Sequence, residues 1–259
     1  RSLRLLRPDL TVPHERSLIP NRTAEHFPFQ HSLELRGVTF RYPSGDQDVL
    51  RAATISIPRG EMVGFQGESG AGKTTLVDLI LGLLKPTTGE VLVDGNSIHD
   101  NLPGWLSNIG YVPQSIFLMD DTLRRNVAFG IPDPEIDDAR VQEVLSLAQL
   151  DGFLDSKRGG LDTLIGERGV RLSGGQRQRI GIARALYHDP AILVLDEATA
   201  SLDLDTEAQF IKAVGSLKNT KTILIISHRF STLENCDVKY QLEDGGLLLL
   251  KMTTANVKK

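Results

Sequence analysis

The run GESGAGKTT at residues 67–75 constrains this chain more than any other stretch. Three glycines, a lysine and two threonines are packed there between two apolar runs, EMVGFQ before and LVDLILGLL after. Glycine lets the backbone turn so that successive N–H groups converge on one point. The preceding run reads as a strand, and the following one as a helix from Gly72 to about Leu84, stopped by Pro86. A strand, then G-x-x-x-x-G-K-[ST], then a helix is an arrangement for phosphate. Backbone N–H groups of Gly67, Glu68, Ser69, Gly70, Ala71 and Gly72 wrap the anion, and the helix N-terminus adds positive potential. Lys73 then reaches the β- and γ-phosphates, Thr74 offers its hydroxyl to Mg²⁺, and Thr75 extends the same turn.

Two other stretches carry chemistry that matches. AILVLDE places Asp196 at the end of an apolar strand with Glu197 directly after it. One carboxylate there can hold a Mg²⁺ shell while its neighbour orients or deprotonates an attacking water, and burying two adjacent acids without such a use is costly. LSGGQRQR, residues 172–179, sets a serine and paired glycines at a helix start, a second N–H cradle in the same chain.

The rest of the pattern places these motifs in a parallel α/β core. SLELRGVTFRYP, ATISIP and GEVLVDG are short β-rich runs bounded by Gly and Pro. Between Asp120 and Leu172 the character turns helical, most clearly in PEIDDARVQEVLSLAQL, where Pro134 and the acids after it mark a helix start. SGGQRQRIGIARALYHDP enters a helix that ends before Pro190, DTEAQFIKAVGSL supplies a crossover helix, and KTILIISH is a second buried parallel strand. No internal repeat is visible. A net charge of -4 gives no general basic field, so nucleic acid is not an expected partner. The single cysteine, Cys236, cannot form an internal disulfide and reads as a small buried hydrophobe. No run approaches the roughly 18 apolar residues that a membrane span requires.

Together these motifs resemble the nucleotide-binding domain of ATP-binding cassette (ABC) transporters, over about residues 32–250. LSGGQ is the most specific single element of that resemblance. It implies a P-loop NTPase fold, with a RecA-like parallel-sheet core, an antiparallel β subdomain and a helical subdomain over about 116–184. It also implies ATP and Mg²⁺, and a head-to-tail dimer in which each ATP lies between one copy's Gly67–Thr74 loop and the other copy's Ser173, Gly174, Gly175 and Gln176. By the same resemblance Tyr42 in FRYP stacks on adenine, and Gln114 in GYVPQ touches Mg²⁺ or its water. Asp196 and Thr74 complete the metal shell, Asp203 in ASLD lies at the dimer seam, and His228 in IISHR contacts the γ-phosphate. Glu197, His228 and Gln114 form the catalytic set. Ala200 and Ser201 stand in the reverse of the commoner S-A-L-D order.

LIGERG, just before the signature, resembles the loop characteristic of exporter-type domains. Residues 1–31 read as a Pro-rich linker, and Arg1 rather than Met suggests a piece of a longer polypeptide. The expectation is therefore a motor on the cytoplasmic face of a membrane, with transmembrane helices fused upstream and a short tail at 251–259. The cargo expected is a lipid or lipid-linked saccharide. Soluble relatives acting on DNA or the ribosome fit less well. The former insert a long coiled coil where this chain has only about a hundred residues between Lys73 and Ser173, and the latter carry two cassettes.

Overall fold

The structure, a computed structural model, describes residues 27–156, 158–166, 172–200 and 202–252. In chain order the strands are β1 (Ser32–Phe40), β2 (Leu50–Pro58), β3 (Met62–Gln66), β4 (Thr88–Val93), β5 (Asn96–Ser97), β6 (Ile109–Val112), β7 (Ile192–Asp196), β8 (Thr222–Ile226), β9 (Val238–Glu243) and β10 (Gly246–Met252). The helices are α1 (Lys73–Leu81), α2 (Leu102–Leu106), α3 (Leu123–Val127), α4 (Asp138–Leu147), α5 (Asp151–Asp155), α6 (Gly174–Leu186), α7 (Leu204–Ser216) and α8 (Phe230–Leu233).

Two sheets result. The antiparallel one runs β2-β1-β4-β5, and the larger one β10-β9-β3-β8-β7-β6. The larger sheet is parallel from β9 to β6, and β10 closes one edge as the antiparallel partner of β9. Its central strands are buried on both faces, which is why ILVLD and TILII are nearly continuous apolar runs. Ile192, Val194, Leu224 and Ile226 join a core shared with α1 and the antiparallel sheet. Leu193, Leu195, Ile223 and Ile225 turn the other way, into a core built with α3, α4, α6 and α7. Burial of each such side chain contributes roughly 1.5–3 kcal/mol, so the sheet is the stiff element between two hydrophobic layers.

Register then decides where the loops emerge. Phe65 of β3 and Asp196 of β7 both pair with Ile226 of β8, and Leu195 pairs with Val112 of β6. Four parallel strands therefore end side by side, delivering the segments that carry Gly67, Asp196, His228 and Gln114 to one edge. The helix α6 lies close against β6: a Cβ on Gly110 would stand 2.7 Å from the Ala185 carbonyl oxygen.

Four boundaries differ from the sequence expectation, one of them the tail expected from residue 251, where β10 runs on to Met252. The first helix ends at Leu81 rather than Leu84, because Gly82 adopts φ 74° and turns the chain into a left-handed C-cap before Pro86 is reached. Pro134 lies in a single 3₁₀ turn, Asp133–Glu135, and α4 starts later, where the Asp137 side chain accepts the Arg140 N–H at 3.0 Å. The segment read as linker up to residue 31 is already part of the fold by Phe27. Phe27 and Phe29 are buried in the core, and the Asp94 carboxylate accepts the N–H groups of Gln30, His31 and Ser32. Residues 1–26 and 253–259 lie outside the described residues. Cys236 is buried, and burial pushes its thiol up to about 12, as a small hydrophobe in a core should behave.

Candidate active site

The chain leaves β3 at Gln66 and reaches α1 through a turn that only glycine permits. Gly70 and Gly72 adopt φ 82° and 100°, and a Cβ on Gly67 would lie 2.6 Å from the Leu242 carbonyl oxygen. Gly72 is the N-cap of α1 and brings no side-chain cap, so the first N–H groups of that helix have no side chain bound to them. Lys73, 6% exposed, folds back over this loop: its ammonium donates to the carbonyls of Gly67 and Glu68, both at 2.9 Å, and stands 3.7 Å from Glu197 Oε1. A buried ammonium held only by carbonyls and one carboxylate, above uncapped N–H groups, is a setting for an anion.

Asp196 and Glu197 face that ammonium from the end of β7. Burial pushes the Asp196 carboxyl above its ordinary value; a 3.0 Å hydrogen bond from the Tyr111 hydroxyl opposes this, the Glu197 charge adds to it, and Lys73 opposes. Glu197 takes φ 47°, a left-handed conformation that costs a non-glycine residue about 1–3 kcal/mol. Its N–H donates to the Ile226 carbonyl and its own carbonyl accepts from Ala200, which pins the strained residue between β7 and β8. The His228 Nδ1 lies 3.8 Å from Glu197 Oε1, on a half-exposed ring.

One open cavity of about 380 Å³ is lined by Tyr42, Ser69, Gly70, Gly72, Lys73, Thr74, Thr75, Gln114, Asp196 and Glu197. The structure thus brings together most of the residues that the sequence singled out for the nucleotide. Gly67 and Glu68 reach it through their carbonyls to Lys73, while Ala71 and the Glu68 side face a neighbouring cavity. The Tyr42 hydroxyl is hydrogen-bonded to the Thr75 hydroxyl at 3.0 Å, and its ring, 40% exposed, packs edge-on against Phe40 at the rim. Gln114 is exposed, and its backbone carbonyl accepts from the buried Gln178 on α6, tying the loop to the helical layer.

Ser173, Gly174, Gly175 and Gln176 do not line this cavity. They form the first turn of α6, closed by a capping box: Gln176 Oε1 accepts the Ser173 N–H at 2.9 Å and Ser173 Oγ accepts the Gln176 N–H at 3.2 Å. Asp203 also stands apart, as the N-cap of α7, accepting from the Thr206 N–H and hydroxyl. Glu167, Arg168 and Gly169 of the LIGERG loop, and Ser201, lie outside the described residues.

Two residues here went unmarked in the sequence reading: Tyr111, whose hydroxyl holds Asp196, and Arg229, beside His228. Tyr111 sits in the same GYVPQ run as Gln114, and on a strand that alternates it is the outward residue next to buried Val112. Among the described residues, no cluster of three or more His, Cys, Asp or Glu could hold a metal alone. One buried carboxylate, an exposed threonine hydroxyl and an amide around a phosphate cradle are instead the donor set of Mg²⁺ bound together with phosphate oxygens.

The family model described as "ABC transporter" matches residues 50–200. An ATP-dependent lipid A-core flippase of Ralstonia nicotianae is 43% identical over 218 residues, which cover 83% of this chain and 37% of that protein. A Staphylococcus aureus protein, named for multidrug export as an ATP-binding/permease protein, is 40% identical over 85% of this chain and 38% of its own length. The solved structure of a bacterial Atm1-family ABC exporter with ATP bound superposes with a TM-score of 0.76 at 33% identity, over 88% of this chain and 40% of that one. The chain thus spans less than two fifths of the length of these curated relatives.

Proposed function

The chain belongs to the ABC transporter family, and from that premise we propose that it is the ATP-binding, ATP-hydrolysing motor of an exporter or flippase. The observation that carries the proposal is the single cavity in which the uncapped α1 N-terminus, Lys73, Asp196 and Glu197 converge. In this reading Tyr42 offers its ring to the adenine, and the loop N–H groups receive the phosphates. Lys73 exchanges its own-loop carbonyls for the γ-phosphate. Asp196, Thr74 and Gln114 would hold Mg²⁺, which would neutralise charge developing on the phosphate oxygens. Glu197 orients a water in line with the γ-phosphorus and accepts its proton; an O–P bond forms, the β–γ bridging P–O bond breaks, and ADP and phosphate leave. His228, whose Nδ1 lies 3.8 Å from the same Glu197 oxygen that faces Lys73, would reach the γ-phosphate in this reading.

We place the domain on the cytoplasmic face of a membrane, joined to transmembrane helices; among the described residues no helix is long and apolar enough to cross one. A second copy supplies Ser173–Gln176 to complete each ATP site, and Asp203 lies at the seam. The cargo we favour is a lipid or lipid-linked saccharide, on the likeness to lipid A-core flippases.

Calorimetric titration of ATP with Mg²⁺ into the wild-type chain and into Lys73→Ala tests the site. The wild type should bind, and the variant should bind at least about tenfold more weakly, since a desolvated charge-assisted contact is lost. Equal affinity in the two proteins removes Lys73 from the site.

A further inference from the structure

The segment after Glu197 and the segment after Ile226 are tied together through the Arg229 side chain. The Arg229 guanidinium donates from Nη2 to the Ala200 carbonyl at 3.0 Å, and from Nη1 to the Leu202 carbonyl at 3.1 Å and to Glu207 Oε2 at 2.8 Å. Glu207, on α7 and 2% exposed, is itself held by the hydroxyls of Ser231 at 3.0 Å and Thr232 at 2.5 Å. Thr232 in turn meets the Thr199 hydroxyl at 3.0 Å. Burial pushes the Glu207 carboxyl up, but the bonds from Thr232, Arg229 and Ser231 outweigh it and hold the group below its ordinary value. The anchor is therefore a satisfied buried anion, and the guanidinium reaches from it across to two loop carbonyls.

The location matters more than the ion pair. Arg229 directly follows His228, and Ala200 donates its N–H to the Glu197 carbonyl at 3.0 Å. A closed path runs from Glu197 through Ala200 and Arg229 to His228, and back across the 3.8 Å gap between His228 and Glu197. The same loop ends at Asp203, the cap of α7, where Thr206 packs so closely on Gly175 that any Cβ there would overlap its methyl group. The signature turn of α6 is thus seated on the element that Arg229 holds.

We infer that Arg229 is a positioning residue for hydrolysis: it ties the loop after Glu197 to the segment bearing His228, so that the two side chains keep one mutual arrangement. The requirement is for a planar fork with several donors fixed in direction, which lysine does not have. An arginine present only to neutralise Glu207 would be replaceable by lysine without functional loss.

The inference rests on the ATPase reading, and its test separates the two. Arg229→Lys and Arg229→Met are compared with the wild-type chain in ATP affinity by calorimetry, in kcat and KM by phosphate release, and in Tm. Both variants should bind ATP within about threefold of wild type with similar KM, and lose roughly tenfold or more in kcat. In Arg229→Lys the Tm should stay within a few degrees of wild type, while amide exchange over residues 198–206 becomes faster. An Arg229→Lys protein with wild-type kcat overturns the inference, as does a kcat loss in both variants that only follows the folded fraction. A wild-type chain that binds no ATP overturns the functional reading first, in the control, and this assignment with it.

Discussion

Two helix N-termini in this molecule carry the motifs of a phosphate cradle, and they are built in opposite ways. At α1 the N-cap is Gly72, no side chain closes the turn, and a buried lysine and two acids converge on it. At α6 the N-cap is Ser173, and a reciprocal bond takes up its own N–H and that of Gln176. The macrodipole is similar at both ends, so it does not decide which one is a site. What separates them is the side-chain cap present only at α6 and the charged side chains gathered at α1. On the proposed reading the first terminus is a half-site able to bind by itself. The second is a side-chain-capped turn that, on the proposed reading, serves only when a second copy brings a nucleotide to it.

The sharpest way to break this comparison is to remove the chemistry from the first half alone. Glu197→Gln should lower ATP turnover at least about a hundredfold while leaving ATP affinity nearly unchanged, because the amide keeps the hydrogen bonds and cannot accept a proton. Phosphate release and calorimetry on the same preparation check both parts. A smaller loss, above about tenfold in turnover, is expected for His228→Ala, because the proposed contact would strengthen as charge develops on the γ-phosphate. Normal turnover in that variant would make His228 merely a loop residue. The smallest effect belongs to the other terminus. Ser173→Ala removes one cap bond and should cost about 1 kcal/mol in denaturant unfolding, without changing the affinity of a lone copy for ATP. If ATP affinity of the dilute protein falls instead, the two termini are not separate half-sites within one chain.

How much of this was legible in the sequence follows the same division. The α1 cradle was readable because its requirements are local: glycines for φ 82° and 100°, then a lysine and threonine at fixed offsets. The buried strands were readable because both faces of β7 and β8 are covered, leaving no alternation to misread. The ends of helices were less so, since Gly82 stops α1 before the more conspicuous Pro86, and Asp137 rather than Pro134 starts α4. The bond from Tyr111 to Asp196 depends on the register of β6 against β7, and the one from Arg229 to Glu207 on how α7 lies against the turn after β8. Neither spacing announces itself along the chain. The strained φ of Glu197 was equally hidden, because no residue preference marks a glutamate held at 47° by its neighbours.

On the proposed reading the α1 cradle holds ATP as half of a site whose other half is the α6 turn of a second copy. Size exclusion with light scattering on Glu197→Gln tests it most directly, because ATP can bind to this protein and is not consumed. This variant should be a monomer without nucleotide, a dimer with saturating ATP and Mg²⁺, and a monomer again when Ser173→Arg is added to fill the facing turn. Without a tether, the dimer should also weaken on dilution, since effective concentration is then set by the protein itself. A Glu197→Gln protein that binds ATP yet stays monomeric over a wide concentration range would contradict the two-copy site.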